Sequence, residues 1–173
     1  DAQASFHHIA LSPLSHADSI ALIDLLLSIA ELPEELKQMI PERAEGNPYY
    51  LEEIIRMLID RGIIHRTEGH WEMTPGADVR GLEVPGTLQG LIMARVDSLP
   101  EGSRHAVQCA SVIGRDFSYQ LLSQVVDDAS GLREQVGELE DRELINRVMQ
   151  ETDIAFRFHH VLIQDTVYRS LLK

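Results

Sequence analysis

Apolar residues recur at helical spacing along most of this chain. From Pro48 to Arg61 they fall at i, i+3, i+4, i+7 and i+8, the stripe of a helix with one buried face. Ser15 followed by Asp18 predicts the capped start of an earlier helix of about 15 residues. Pro33 predicts the start of a second helix. Pro41 should end or kink it, because proline lacks an amide donor and clashes with the preceding turn.

The second half of the chain carries further helical patterns. Helices are expected after Thr87, after Pro100 and after Ser118, then over residues 130–142, and finally from about Val161 to Leu172. Cys109 falls on the apolar face of the second of these helices, which favours a small buried side chain over a reactive nucleophile.

Alternating segments predict two small hairpins and one isolated strand. The hairpin pairs are Ile63–Arg66 with His70–Met73, and Leu144–Met149 with Ile154–Phe158. The pattern of residues 6–11 predicts a short strand. Residues 74–86 are rich in glycine and proline and predict a linker. Beyond it, the last three of the four helices expected before the second hairpin, that hairpin and a trailing helix follow the order of a winged-helix domain, so the expected fold is mainly α.

The charge of the chain disfavours nucleic acid and anionic lipid as partners. The net charge is −13, from 28 acidic and 15 basic residues. The expected recognition helix, residues 130–142, is itself net negative, which opposes binding to DNA phosphates. The longest apolar run, residues 20–30, is too short to span a membrane, and the first residues lack a signal-peptide pattern. With a single cysteine, the chain is expected to be cytoplasmic.

Catalytic and metal-binding patterns are weak. There is no G-x-x-x-x-G-K-[ST] phosphate loop. Adjacent histidines, His7/His8 and His159/His160, point to opposite faces of a strand, so no metal site is expected. The glutamate pairs Glu34/Glu35 and Glu52/Glu53 are expected on solvated helix faces.

Arg43–Glu53, RAEGNPYYLEE, contains the most informative local pattern. Gly46 suits the left-handed position after a helix, Asn47 the N-cap of the next helix, and Pro48 its first turn. Two helices therefore meet at a proline-fixed corner. Such a corner serves either as plain structure or as a platform for a flat ligand, and the residues alone leave both interpretations open.

Four segments together resemble a known family. RAEGNPYYLEEIIRML, VPGTLQGLIMARVDSLP, QCASVIGRDF and FRFHHVLIQDTVYRSLL, in this order, are similar to signal-transduction ATPases with numerous domains, the STAND class. The similarity is greatest to predicted bacterial ATPases fused to adenylate or guanylate cyclase domains or to transcriptional regulators.

The resemblance implies a domain plan. Residues 1–12 would be a remnant of the last strand of the ATPase core, and residues 13–73 a helical lid of the AAA+ type with its hairpin. Residues 74–86 would be a linker, and residues 87–173 a winged helix that packs on the nucleotide domain rather than on DNA.

The resemblance also implies two nucleotide contacts. Gly46, Asn47 and Pro48 match the element whose proline lies against the adenine ring. His160 matches the histidine that approaches the β-phosphate of ADP, with His159 as the neighbouring alternative.

The parts that bind phosphate and metal would lie upstream, in a parent ATPase that carries ATP or ADP. This chain is therefore expected to be no enzyme and to bind neither nucleotide tightly. Its expected partners are the upstream nucleotide-binding domain and a downstream sensor or repeat domain. Two alternatives are a winged-helix DNA-binding transcriptional regulator and an acidic protein-interaction module.

Overall fold

A computed structural model describes residues 10–28, 32–79, 81–149 and 154–172. They are mainly helical, with two small antiparallel sheets. The chain divides into two compact units, Asp1–Val84 and Pro85–Lys173. The strand expected at residues 6–11 falls almost entirely outside the described residues, as does the His7/His8 pair.

Three helices that pack on one another form most of the first unit. They are α1 (His16–Leu27), α2 (Glu34–Ala44) and α3 (Pro48–Asp60). The Ser15 hydroxyl accepts the Asp18 amide at 3.1 Å, which confirms the predicted cap of α1. The apolar stripes of the three helices meet in a shared core that includes Ile23, Leu27, Leu36, Ile40, Leu51, Ile54 and Leu58.

Pro41 was expected to end or kink α2, and the structure shows that it does not end the helix. Pro41 lies inside α2, and the helix continues to Ala44, with the Glu45 amide bonded to the Pro41 carbonyl at 3.1 Å. A proline inside a helix costs about 3 kcal/mol. Ile40, Pro41 and Ala44 are all buried, so we attribute the continuation of the helix to the packing of this last turn.

The hairpin of the first unit is confirmed. Strand β1 (Ile64–Thr67) pairs with β2 (His70–Met73), and Thr67 lies opposite His70. The turn therefore consists of Glu68 and Gly69, both with positive φ, which suits a tight two-residue hairpin. Strand β1 packs against α3.

The second unit contains five helices and three strands within the described ranges. In chain order they are α4 (Leu88–Asp97), α5 (Glu101–Ile113), β3 (Asp116–Ser118), α6 (Tyr119–Val125), α7 (Leu132–Asp141), β4 (Ile145–Met149), β5 (Ile154–Phe158) and α8 (Val161–Ser170). The hydroxyls of Thr87 and Ser118 cap α4 and α6, the helices expected after these two residues.

The sheet of this unit has one strand more than the predicted hairpin. Its order is β3-β5-β4, antiparallel throughout, with Phe117 opposite Phe156. The rings of Phe156 and Phe158 each lie 5.7 Å from that of Phe117, centroid to centroid. Strand β3 has only three residues, too few for an alternating pattern to be recognised in the sequence.

A partly buried polar network links three helices of the second unit. Arg95 on α4 is 4% exposed, and its guanidinium donates to the carbonyl of Arg142. The Arg142 side chain pairs with Glu138 on α7 at 3.2 Å, and the Ser103 hydroxyl on α5 donates to Glu138 at 2.6 Å. Because buried charge is costly unless it is paired, the network ties the Arg95 guanidinium to the C-terminal end of α7, and α7 in turn to α5.

Candidate functional site

The corner between α2 and α3 has the predicted local geometry. Glu45 and Gly46 both have positive φ, at 50° and 74°, and end α2. The Asn47 side-chain oxygen accepts the amides of Tyr49 at 3.0 Å and Tyr50 at 3.2 Å. Asn47 therefore caps α3, and Pro48 occupies its first turn, where no amide donor is needed.

Gly46 lies beneath the segment that enters α1. Its carbonyl accepts the Leu14 amide at 2.8 Å. A Cβ at Gly46 would lie 2.5 Å from the Leu14 carbonyl oxygen and 2.8 Å from the Pro13 Cβ. Glycine is required here both by the positive φ and by this close backbone approach.

The three residues of the predicted adenine site thus have different surroundings. Gly46 is buried, and the Asn47 side chain is engaged in the cap of α3. Pro48 is exposed and presents its ring at the surface of the first unit. Of the three, Pro48 has the side chain best placed to contact a ligand.

Tyr50 adds a phenol near this corner, and it is 8% exposed. Burial raises the pKa of Tyr50; Arg43 lowers it and Glu45 raises it by smaller amounts. A phenol is neutral at physiological pH even at its ordinary pKa, so Tyr50 can contribute packing and a hydrogen bond but no negative charge.

His160 is the N-cap residue of α8 in the second unit. Its ring Nδ1 accepts the Leu162 amide at 3.1 Å. Because Nδ1 acts as the acceptor, the proton of the neutral ring resides on Nε2, a tautomer assigned from this hydrogen bond. The ring can therefore present an Nε2–H donor to an anion while Nδ1 holds the start of the helix.

The neighbouring His159 lies in a different environment. Its Nδ1 accepts from the Asn146 side-chain amide at 2.9 Å, and its backbone amide donates to the Leu144 carbonyl at 3.0 Å. Its ring is thus tied to β4, whereas the ring of His160 caps a helix. Both histidines belong to the second unit, and the Gly-Asn-Pro corner belongs to the first.

The prediction that both glutamate pairs lie on solvated helix faces is wrong for Glu53. Glu34 and Glu35 are exposed, as predicted. Glu53 is 0% exposed, and the Arg56 guanidinium donates to it at 3.1 Å. Helix α3 is buried around more of its circumference than its leucine and isoleucine stripe indicates, so Glu53 is enclosed and held by a charged neighbour.

Cys109 is half-buried, whereas the sequence predicted a buried side chain. Its Sγ lies 3.6 Å from Nε2 of His105, and that nitrogen lies 3.7 Å from the Asp127 carboxylate. Burial raises the pKa of the Cys109 thiol, and Asp127 raises it further. A raised pKa reduces the thiolate fraction at neutral pH, which argues against a nucleophilic role. In the described ranges, no group of three or more histidine, cysteine or acidic side chains could hold a metal ion.

An open cleft of about 670 Å³ lies beside α5 and was not found from the sequence. Its lining includes Glu101, Arg104, His105, Asp127 and Asp128. The lining mixes both signs of charge with an acidic excess. The sequence offered no signal for it, because the residues come from two separate segments that only folding brings together.

Comparisons with known proteins find partial similarity. Residues 15–70 match a family described as a domain of unknown function, DUF8739, and this range takes in α1, α2, α3 and β1. Adenylate cyclase type 10 of Rattus norvegicus is 23% identical over 136 residues, and that of Mus musculus is 21% identical over 136 residues. Each alignment covers 58% of this chain and 8% of the relative. The chain therefore spans a small part of the length of these curated relatives.

None of the helices in the described ranges has the length and apolar content of a membrane span.

Proposed function

We propose that this chain is the regulatory part of a STAND-type ATPase, a helical lid followed by a winged helix, which senses bound nucleotide and relays a conformational switch. The observation that carries the proposal is the order of elements in the second unit. The elements follow the order helix α5, strand β3, helices α6 and α7, and strands β4 and β5, and the three strands form a sheet of order β3-β5-β4. This order supports the winged-helix arrangement that the proposal assigns to the second unit.

The first unit supports the lid assignment. Three packed helices present the Gly-Asn-Pro corner, with Pro48 exposed at the start of α3. A proline ring is rigid, so it would offer an apolar face to adenine at little entropic cost. In the parent, Pro48 would contact the base of ATP or ADP.

The cap of α8 supports a phosphate role for His160. With Nδ1 accepting the Leu162 amide, the Nε2–H of the ring would donate to the β-phosphate of ADP. In the parent, this hydrogen bond would stabilise a closed, ADP-bound conformation, and its loss would favour an open one. Residues 74–86 would act as the hinge between the two conformations.

The similarity to adenylate cyclase type 10 supports a larger signalling parent associated with a nucleotide cyclase. In such a protein the upstream nucleotide-binding domain would supply the phosphate loop and metal, and a downstream sensor or repeat domain would receive the switch. The protein would act in the cytoplasm. This chain by itself would not hydrolyse ATP, because most nucleotide affinity and all phosphoryl chemistry would reside in the upstream domain.

The test is ADP release from the full-length parent, followed with a fluorescent ADP analogue. We expect His160→Ala and Pro48→Ala each to speed release about tenfold, the first through loss of a charge-assisted hydrogen bond and the second through loss of an apolar contact. His160→Asn restores a helix cap without an imidazole and should release ADP as fast as His160→Ala. His159→Ala is the matched control and should leave release unchanged.

Three results would contradict the proposal. Unchanged ADP release in His160→Ala removes the phosphate role, and slow release retained by His160→Asn shows that only the helix cap matters. ATP turnover by this chain alone that survives Pro48→Ala and His160→Ala would overturn the regulatory assignment.

A further inference from the structure

A small pocket lies where α7 meets the hairpin β4–β5, beside the start of α6. Its volume is about 80 Å³, and its lining residues are Tyr119, Arg133, Val136, Arg147, Ile154 and Phe156. Val136 and Phe156 are buried and form an apolar base, whereas Ile154 is 45% exposed at the rim. The pocket thus combines an apolar interior with two arginines.

Arg147 is held in place by contacts that occupy only some of the hydrogen-bond donors of its guanidinium. Its guanidinium carbon lies 5.8 Å from the centroid of the Phe156 ring, and Nη2 donates to Glu140 at 2.8 Å. The Arg147 side chain is 60% exposed. A guanidinium has five N–H donors, so one contact to Glu140 leaves capacity for a second carboxylate.

Arg133, one turn before Val136 on α7, adds a second cation. It is exposed, and it takes part in none of the ion pairs that the described residues form. In a chain with a net charge of −13, an apolar pocket flanked by two arginines is a local exception to the surface charge. Such a pocket is complementary to an anionic group joined to an apolar one.

We propose that this pocket docks an acidic segment of a partner protein. One apolar side chain of the segment would rest on Phe156 and Val136, and a neighbouring carboxylate would accept from Arg133 and Arg147. Aromatic and arginine side chains are enriched at the energetic centres of protein interfaces, and Tyr119 supplies a further aromatic contact. This interface does not depend on the proposed nucleotide sensing.

Nucleic acid fits the same surface poorly. The volume of about 80 Å³ is well below the roughly 300–1,000 Å³ of typical ligand pockets, so it suits the end of a side chain rather than a base. Helix α7 also carries Glu134, Glu138 and Glu140, which would repel a continuous phosphate backbone. A single carboxylate beside an apolar group avoids most of that repulsion.

The experiment uses three fluorescent probes with the intact chain. They are a short peptide with one leucine beside one glutamate among serine and glycine residues, the same peptide with glutamine in place of glutamate, and a short DNA duplex. Anisotropy at low salt gives the affinity for each. Arg133→Ala and Arg147→Ala test the pocket, and Arg169→Ala on α8, an exposed and ion-paired arginine, is the control.

We expect the leucine–glutamate peptide to bind, the glutamine peptide to bind at least tenfold more weakly, and each pocket variant to lose about tenfold in affinity for the acidic peptide. Arg169→Ala should bind like the unmodified chain. Failure of the acidic peptide to bind, equal binding of the two peptides, or an equal loss in Arg169→Ala overturns the proposal. Duplex binding that weakens in Arg133→Ala assigns the surface to nucleic acid instead.

Discussion

The amide of Leu14 donates to the carbonyl of Gly46 at 2.8 Å, and the carbonyl oxygen of Leu14 lies 2.5 Å from the site of a Cβ on Gly46. This pair ties the segment that enters α1 to the corner between α2 and α3. The glycine of the Gly-Asn-Pro element therefore serves the packing of the first unit. Any displacement of the chain before α1 would act directly on the corner that carries Pro48.

Replacing Gly46 by alanine should destabilise the first unit by about 2–4 kcal/mol. The positive φ costs roughly 1–2 kcal/mol for a residue with a Cβ, and the clash with Leu14 adds to it. Gly62→Ala is the matched control: Gly62 has a φ of 67° and nothing within 4 Å of its added Cβ, so only the first cost applies. Urea unfolding followed by the fluorescence of Trp71, the single tryptophan, measures both. Equal losses in the two variants would remove the Leu14 contact as the cause.

Asn47→Ala should lower the free energy of unfolding of the first unit by about 1 kcal/mol, because the amides of Tyr49 and Tyr50 lose their side-chain acceptor. Asn47→Ser keeps an acceptor and should lose less than half as much. The same tryptophan-monitored unfolding applies. A serine variant as unstable as the alanine variant would show that capping is not the source of the effect.

His160→Ala should destabilise the second unit by about 1 kcal/mol through loss of the α8 cap, whereas His160→Asn should retain most of the stability. Far-UV circular dichroism during urea unfolding measures both. This result separates capping from nucleotide sensing, since asparagine replaces the acceptor and not the Nε2–H donor. Comparable losses in the two variants would indicate that the contact of Nδ1 with Leu162 contributes little.

Alkylation of Cys109 by iodoacetamide should be slower in the folded chain than in urea at neutral pH. Burial and Asp127 raise the pKa of the thiol, so the thiolate forms at higher pH. The pH profile of the alkylation rate therefore shifts to higher pH. Asp127→Asn should move the profile part of the way back, and Asp128→Asn, which alters the adjacent acid, should leave it nearly in place. A folded-state profile at or below that of the unfolded chain would contradict the assignment.

Local chemistry made much of the secondary structure predictable. The caps at Ser15, Asn47, Thr87 and Ser118 were recognisable because each depends on residues within one helical turn. The tight hairpin around Glu68 and Gly69 was predictable for the same reason. The Gly46-Asn47-Pro48 part of the candidate site was proposed from local sequence alone, because the three residues are consecutive.

Features that depend on packing were predicted wrongly or missed. Pro41 was expected to end or kink α2, but the helix does not end there and continues through a buried last turn to Ala44. Glu53 was expected in solvent, yet α3 is buried on more than one face. Strand β3 exists because Phe117 pairs with Phe156, a partner remote in sequence.

The sequence by itself determined where helices begin, which faces of them are apolar and how the chain is charged, because these properties depend on near neighbours and composition. Only the tertiary structure decided that Gly46 is covered by Leu14, that Arg95 reaches the backbone of Arg142, and that Arg133 and Arg147 flank one pocket. Those relationships join residues far apart in the chain. Burial and close approach exist only once the whole unit has folded.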